Sequence, residues 1–304
     1  MTGKFKNRTG DGGVFLSGLC EAHSRYDAVL CDIWGVLHNG ERSFPEAVEV
    51  LRNLRLLGKP VTLITNAPRP KAEVAAQLTA LGVPGECYDA IATSGDVCAR
   101  AIIERVPQKP CHIGPERDRS LFAAASAMAG AEITAVPLAQ ADFAVCTGLD
   151  EDTVETPADY EDVLVALREK NMPMICANPD LVVYRGEQLV YCAGALAERY
   201  EALGGEVEQA GKPYAAIYRL ALGLLEQARK SPLDLDRVLA IGDAVHTDIA
   251  GATDMGLDSL LITEGIHRAE LHGGSSGPVD ADAYRQFVDS HGVSPVWRMN
   301  RLAW

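Results

Sequence analysis

Four apolar residues, Ala28, Val29, Leu30 and Cys31, stop abruptly on a carboxylate, Asp32, and the same figure recurs along the chain. Each such run has the length and apolar character of a strand buried on both faces. Further runs at 60–64, 89–92, 237–241 and 258–263 end on Thr65-Asn66, Thr93-Ser94-Gly95, Gly242-Asp243 and Thr263. Between them, apolar residues recur at helical spacing. In the first such stretch Ala47, Val48, Val50, Leu51, Leu54 and Leu57 follow a Ser43/Glu46 pair with capping-box spacing, and Gly58 stands as terminator. This alternation predicts an α/β protein with a parallel sheet, in which ligands gather beyond the carboxyl ends of the strands. An acid placed there, such as Asp32, is a nucleophile, a metal ligand or a cap for the following turn.

The rhythm changes character from about 95 to 205, which reads as a separate unit. Strands are expected at 111–114, 141–147 and 173–177, and helices at 120–129, 156–170 and 193–203. A hairpin is expected where Val182-Val-Tyr184 and Gln188-Leu-Val-Tyr191 flank Arg185-Gly-Glu187. Gly211-Lys212-Pro213 opens a helix to about 227, and a further helix is expected at about 247–253. Residues 265–277 read as a loop, and 280–290 as a last helix. The closing segment 295–304, with Trp297, Met299, Leu302 and Trp304, packs on the body or on a second subunit, which leaves a homodimer open. Residues 1–13 read as loose leading residues.

With 304 residues, the chain can form one large domain or two. No apolar run reaches the roughly 18 residues of a membrane helix, and no signal-peptide core is evident. The expectation is a cytoplasmic protein without a membrane partner. A net charge of −14 argues against a nucleic-acid partner. It also means that an anionic substrate needs local positive charge: a metal ion, a lysine or helix N-termini. The eight cysteines form no C-x-x-C pair, and buried reduced thiols explain them best.

Four fragments fall at predicted strand-to-helix junctions: Asp32-Ile-Trp-Gly-Val36, Thr65-Asn66, Gly211-Lys212-Pro213, and Gly242-Asp243 with Asp248. If the strands are parallel neighbours, all four meet at one sheet edge. Carboxylates, a hydroxyl, an amide and an ammonium then converge, a set suited to phosphoryl transfer. A carboxylate can attack phosphorus, and a magnesium ion (Mg2+) held by Asp32 and Asp243, with Asp248 close by, can stand between nucleophile and phosphate. Lys212 can neutralise both, while Thr65 and Asn66 can hydrogen-bond the phosphoryl oxygens.

In this order, the fragments resemble the four motifs of the haloacid dehalogenase superfamily. The insert carrying Asn178-Pro179-Asp180 and Gly194-Ala195-Leu196 is similar to the α/β cap of its class IIA branch. The resemblance implies a Rossmann-like core at 1–94 and 206–304, with an inserted cap at 95–205. It implies a Mg2+-dependent phosphatase for a small phosphorylated substrate, with Asp32 as nucleophile. The metal would be held by Asp32, the backbone carbonyl of Trp34, and Asp243, with Asp248 beside them. Thr65, Asn66 and Lys212 would bind phosphate, and Asn178 and Asp180 would contact substrate. One departure matters: the family's phosphatases carry an acid/base aspartate two residues after the nucleophile, and this chain has Trp34. Activity is then low, or a substitute such as His38 serves, or the leaving group needs no proton. The alternatives are a non-hydrolytic phosphate-binding regulator and a metal-independent haloacid dehalogenase.

Overall fold

The structure, a computed structural model, describes residues 13–273 and 279–304. The expected leading segment, apart from Gly13, lies outside the described residues, as do residues 274–277 of the expected loop. In chain order the strands are β1 (Val14–Phe15), β2 (Ala28–Asp32), β3 (Val61–Thr65), β4 (Ala90–Thr93), β5 (Pro110–Ile113), β6 (Phe143–Cys146), β7 (Met174–Cys176), β8 (Val182–Arg185), β9 (Gln188–Tyr191), β10 (Val207–Gln209), β11 (Val238–Gly242), β12 (Asp258–Ile262) and β13 (Trp297–Met299).

Seven of them form one parallel sheet in the order β1-β13-β12-β11-β2-β3-β4. From β2 the chain first builds outward to β3 and β4, and much later to β11 and β12 on the other side. The crevice where the winding direction reverses therefore opens at the carboxyl end of β2. Register fixes what meets there: Asp32 pairs with Ile64, and Cys31 with Ile241. Thr65 and Gly242-Asp243 thus lie beside Asp32. All residues of β2, β3 and β11 are buried, as their apolar sequences require.

A second parallel sheet, β10-β7-β6-β5, lies in the insert, and β8–β9 forms the expected antiparallel hairpin. The second sheet takes in Val207–Gln209, beyond the return to the core expected at 206. Its three residues alternate in burial around an exposed Glu208 and offer no apolar run to read. The helix Ser94–Glu104, which the sequence analysis passed over, starts without any loop after β4, capped by the Thr93 hydroxyl (2.9 Å from the Asp96 N–H).

Other expectations are also corrected. The helix Pro45–Leu56 begins at Phe44 without a side-chain cap, so the Ser43/Glu46 box does not form; Pro45 fixes the first turn one residue too late for Ser43. Within the expected loop at 265–277 a short helix, Arg268–His272, forms over the buried Leu271. The closing segment packs on the body, with β13 threaded between β12 and β1. The cysteines are all free, and only Cys20 is exposed. No helix among the described residues is long and apolar enough to cross a membrane.

Candidate active site

Asp32, Thr65, Asn66, Lys212, Asp243 and Asp248 come together at the carboxyl edge of the large sheet, and all six are buried. Lys212 reaches in from the segment before the helix Ala215–Arg229. Its Nζ donates to Asp32 Oδ1 (2.5 Å) and to Asp248 Oδ1 (2.7 Å). The backbone of the same residue is fixed by Asn66, whose Oδ1 accepts from the Lys212 N–H at 2.7 Å. Asn66 Nδ2 donates in turn to Asp180 Oδ1 at 2.8 Å, which brings the insert into the network.

The remaining carboxylates are held by backbone donors. Asp243 Oδ2 accepts from the Ile266 N–H (2.7 Å), and Asp248 Oδ2 from the Ala244 N–H (3.1 Å). Two glycines press on Asp243. A Cβ at Gly35, where φ is +82°, would sit 2.0 Å from Asp243 Oδ2; one at Gly265 would sit 2.1 Å from it. The Trp34–Gly35 peptide, whose carbonyl is expected to face a metal, therefore runs directly against Asp243.

Carboxylate oxygens of Asp32, Asp243 and Asp248 lie within 4.8 Å of one another. Three acids share one ammonium group, which leaves an excess of negative charge. Burial, reinforced by Asp248, pushes the Asp243 carboxyl up to about 8. Burial pulls the Lys212 ammonium down, but Asp248 and Asp32 outweigh it and keep it charged. Both Asp248 oxygens already accept hydrogen bonds, whereas Asp32 Oδ2 and Asp243 Oδ1 have no partner among the described residues. Hard oxygen donors, surplus negative charge and two uncommitted oxygens fit a divalent cation. Asp248 also holds Lys212 and the turn after β11.

The site opens into a cavity of about 440 Å³, in the range of small-molecule pockets. Trp34, Phe44, Val183 and Tyr184 give it an apolar wall, while Arg42 and Arg268 stand among its polar residues. Asp180 lines it; Asn178 does not. Asn178 instead borders a neighbouring cavity, and its Oδ1 accepts from the Asp180 N–H (3.1 Å), which shapes the turn that presents Asp180. His38 is also displaced from its expected role. It is 1% exposed, Nδ1 accepts from the Gly40 N–H (2.9 Å), and burial lowers its pKa to about 4. It is neutral at pH 7 and does not line the cavity.

Three further contributors to the site were not read from the sequence. Gly265 and the Ile266 N–H fix Asp243 from the turn after β12, a strand end that the rule for parallel sheets could have singled out. The Tyr184 carbonyl, which accepts from the Trp34 indole N–H at 2.7 Å, left no sequence signal.

The family model described as haloacid dehalogenase-like hydrolase matches residues 29–127, and a second, HAD-hydrolase-like model matches 209–284. The crystal structure of a haloacid dehalogenase-like hydrolase from Brucella suis 1330 is 43% identical, with a TM-score of 0.82, covering 95% of this chain and 100% of that one. Chronophin from Homo sapiens is 26% identical over 264 residues, 84% of this chain and 86% of its own. The 5'-nucleotidase YutF from Bacillus subtilis is 26% identical over 250 residues, 81% and 90% of the two chains. With the two models falling on the strands that build the site, and a 43% identical relative matched along its full length, the chain belongs to the haloacid dehalogenase superfamily, in its class IIA branch, and is a hydrolase.

Proposed function

We propose that the chain is a Mg2+-dependent phosphatase that acts on a small phosphomonoester through an aspartyl-phosphate on Asp32. The observation that carries this reading is the buried Lys212 bridge between Asp32 and Asp248, with Asp243 alongside. Asp32 Oδ1 is fixed by the ammonium group, so the carboxylate is oriented for attack without needing to reorganise. Thr65, Asn66 and Lys212 supply a hydroxyl, an amide and a cation for the phosphoryl oxygens. Asp32, the Trp34 carbonyl and Asp243 would hold the metal, which supplies positive charge against the developing phosphoryl charge when bound. The hairpin of β8 and β9 closes one side of the cavity as a cap, tied to the core through Trp34. The relative named as a 5'-nucleotidase supports a phosphorylated substrate.

The test is phosphate release from a panel of aryl, sugar and nucleotide phosphates, with Mg2+ and then with a chelator. Metal-dependent release from at least one ester, lost in Asp32→Asn, is expected. Phosphate binding without any turnover would favour the non-hydrolytic regulator, and metal-independent halide release from a haloacid would favour the dehalogenase.

A further inference from the structure

Two residues after Asp32 the cavity wall carries an indole, Trp34, which has no carboxyl proton to give. Its indole is fixed on three sides. The N–H donates to the Tyr184 carbonyl at 2.7 Å. The His38 ring packs against it in a T-shaped arrangement, with 5.0 Å between centroids. Gly40 packs so closely that a Cβ there would fall 2.6 Å from the indole Cζ2. The only acidic hydrogen that Trp34 carries is therefore spent on the hairpin.

Of the other carboxyls that line the cavity, two are paired with arginines. Glu187 is bound by Arg268, with Oε2 2.5 Å from Nη2, and Glu264 is bound by Arg301. Glu46 is exposed in the first turn of its helix at the rim. Asp180 accepts from Asn66 on the Lys212 side of the site. His38 does not line the cavity.

Displacement at phosphorus forms the bond from Asp32 to phosphorus and breaks the bond from phosphorus to the leaving oxygen. The electron pair stays on that oxygen. A phenolate carries it without help and takes a proton from solvent afterwards, whereas an alkoxide needs a proton as the bond breaks. Water then attacks the aspartyl-phosphate and frees phosphate and the Asp32 carboxylate, with its proton passing to a phosphoryl oxygen or to solvent. The leaving group would rest against the indole and the side chains of Phe44, Val183 and Tyr184, a wall suited to a flat apolar ring.

We infer that the site takes phosphomonoesters of weakly basic, aromatic leaving groups in preference to alkyl phosphates, with Trp34 as the residue that sets this preference. The inference rests on the phosphatase reading above. It is tested on the full chain with Mg2+, by measuring kcat/KM for a series of ring-substituted phenyl phosphates and for simple alkyl phosphates. Alkyl esters are expected at least about 10²-fold below phenyl phosphate, the usual cost of a missing general acid. Within the aryl series the rate should fall steadily as the phenol becomes more basic. Trp34→Asp should narrow the aryl-to-alkyl gap by about tenfold or more, while Trp34→Phe, which removes the N–H without adding an acid, should leave the gap in place. Alkyl and aryl esters turned over at similar rates by the native chain would overturn the inference alone. So would a gap that opens only in Asp180→Asn, since the proton would then come from Asp180. Turnover of no ester at all would overturn the phosphatase reading beneath it.

Discussion

Replacing Lys212 by Met removes the one cation that joins two buried carboxylates. The ammonium sits 2.5 Å from Asp32 Oδ1 and 2.7 Å from Asp248 Oδ1, and the residue is 3% exposed. Methionine fills a similar volume, so packing loss is small and the effect is electrostatic. Breaking a buried pair by deleting one partner costs about 3–5 kcal/mol, because the surviving charges stay desolvated. For a chain of 304 residues that corresponds to a fall in Tm of roughly 5–8 °C. The fall should be largest with a chelator present and smaller with Mg2+, since a cation bound only by the folded chain adds stability by mass action. Hydrolysis of a reactive aryl phosphate should drop by about 10²–10³-fold or more, the loss typical of one donor aimed at developing charge. Thermal melts with and without Mg2+, alongside steady-state rates, measure both. A variant that melts within about 2 °C of the native chain and keeps more than about a tenth of its rate would refute the account of the lysine bridge.

Other perturbations separate the parts of the site. Gly35→Ala should weaken Mg2+ binding at least about tenfold by calorimetry, because the new Cβ meets Asp243 Oδ2 in a left-handed backbone conformation that already costs a side chain about 1–2 kcal/mol. Trp34→Phe removes the bond to the Tyr184 carbonyl; at about 1 kcal/mol, amide exchange in 182–186 should speed up roughly fivefold. The pH dependence of stability follows from His38, whose folded pKa of about 4 lies below its ordinary 6.5. Between those values the unfolded chain binds the proton and the folded chain does not, so stability rises with pH through that window and is lost as pH falls through it. The native chain should lose up to about 3 kcal/mol more than His38→Gln between pH 6.5 and 4 in denaturant titrations; parallel profiles for the two would contradict it.

Much of this site was legible because its chemistry sits where buried strands end. A strand buried on both faces must be apolar, so the first acid after Cys31 or Ile241 marks the sheet edge by contrast alone. What escaped has equally physical causes. Val14–Phe15 and Trp297–Met299 are too short to show alternation, and they become strands only because β12 offers the latter an edge to pair with. Gly265 does its work by having no side chain near Asp243, which only the packed structure reveals. The Tyr184 carbonyl is a backbone acceptor of a kind every residue carries, so nothing in the residue type marks its bond to Trp34. Asn178 owes its expected substrate contact to the family resemblance alone, and its Oδ1 accepts from the Asp180 N–H while the residue stays off the cavity lining.

In the proposed reaction the Asp32 carboxylate becomes phosphorylated. The most direct measurement is acid quenching during turnover of an aryl phosphate, followed by peptide mass spectrometry of the native chain and of Asp32→Asn. One phosphoryl group on the peptide containing Asp32, absent from the variant, is the expected result. Phosphate release that persists in Asp32→Asn, or a phosphoryl group trapped on another residue, would contradict the account.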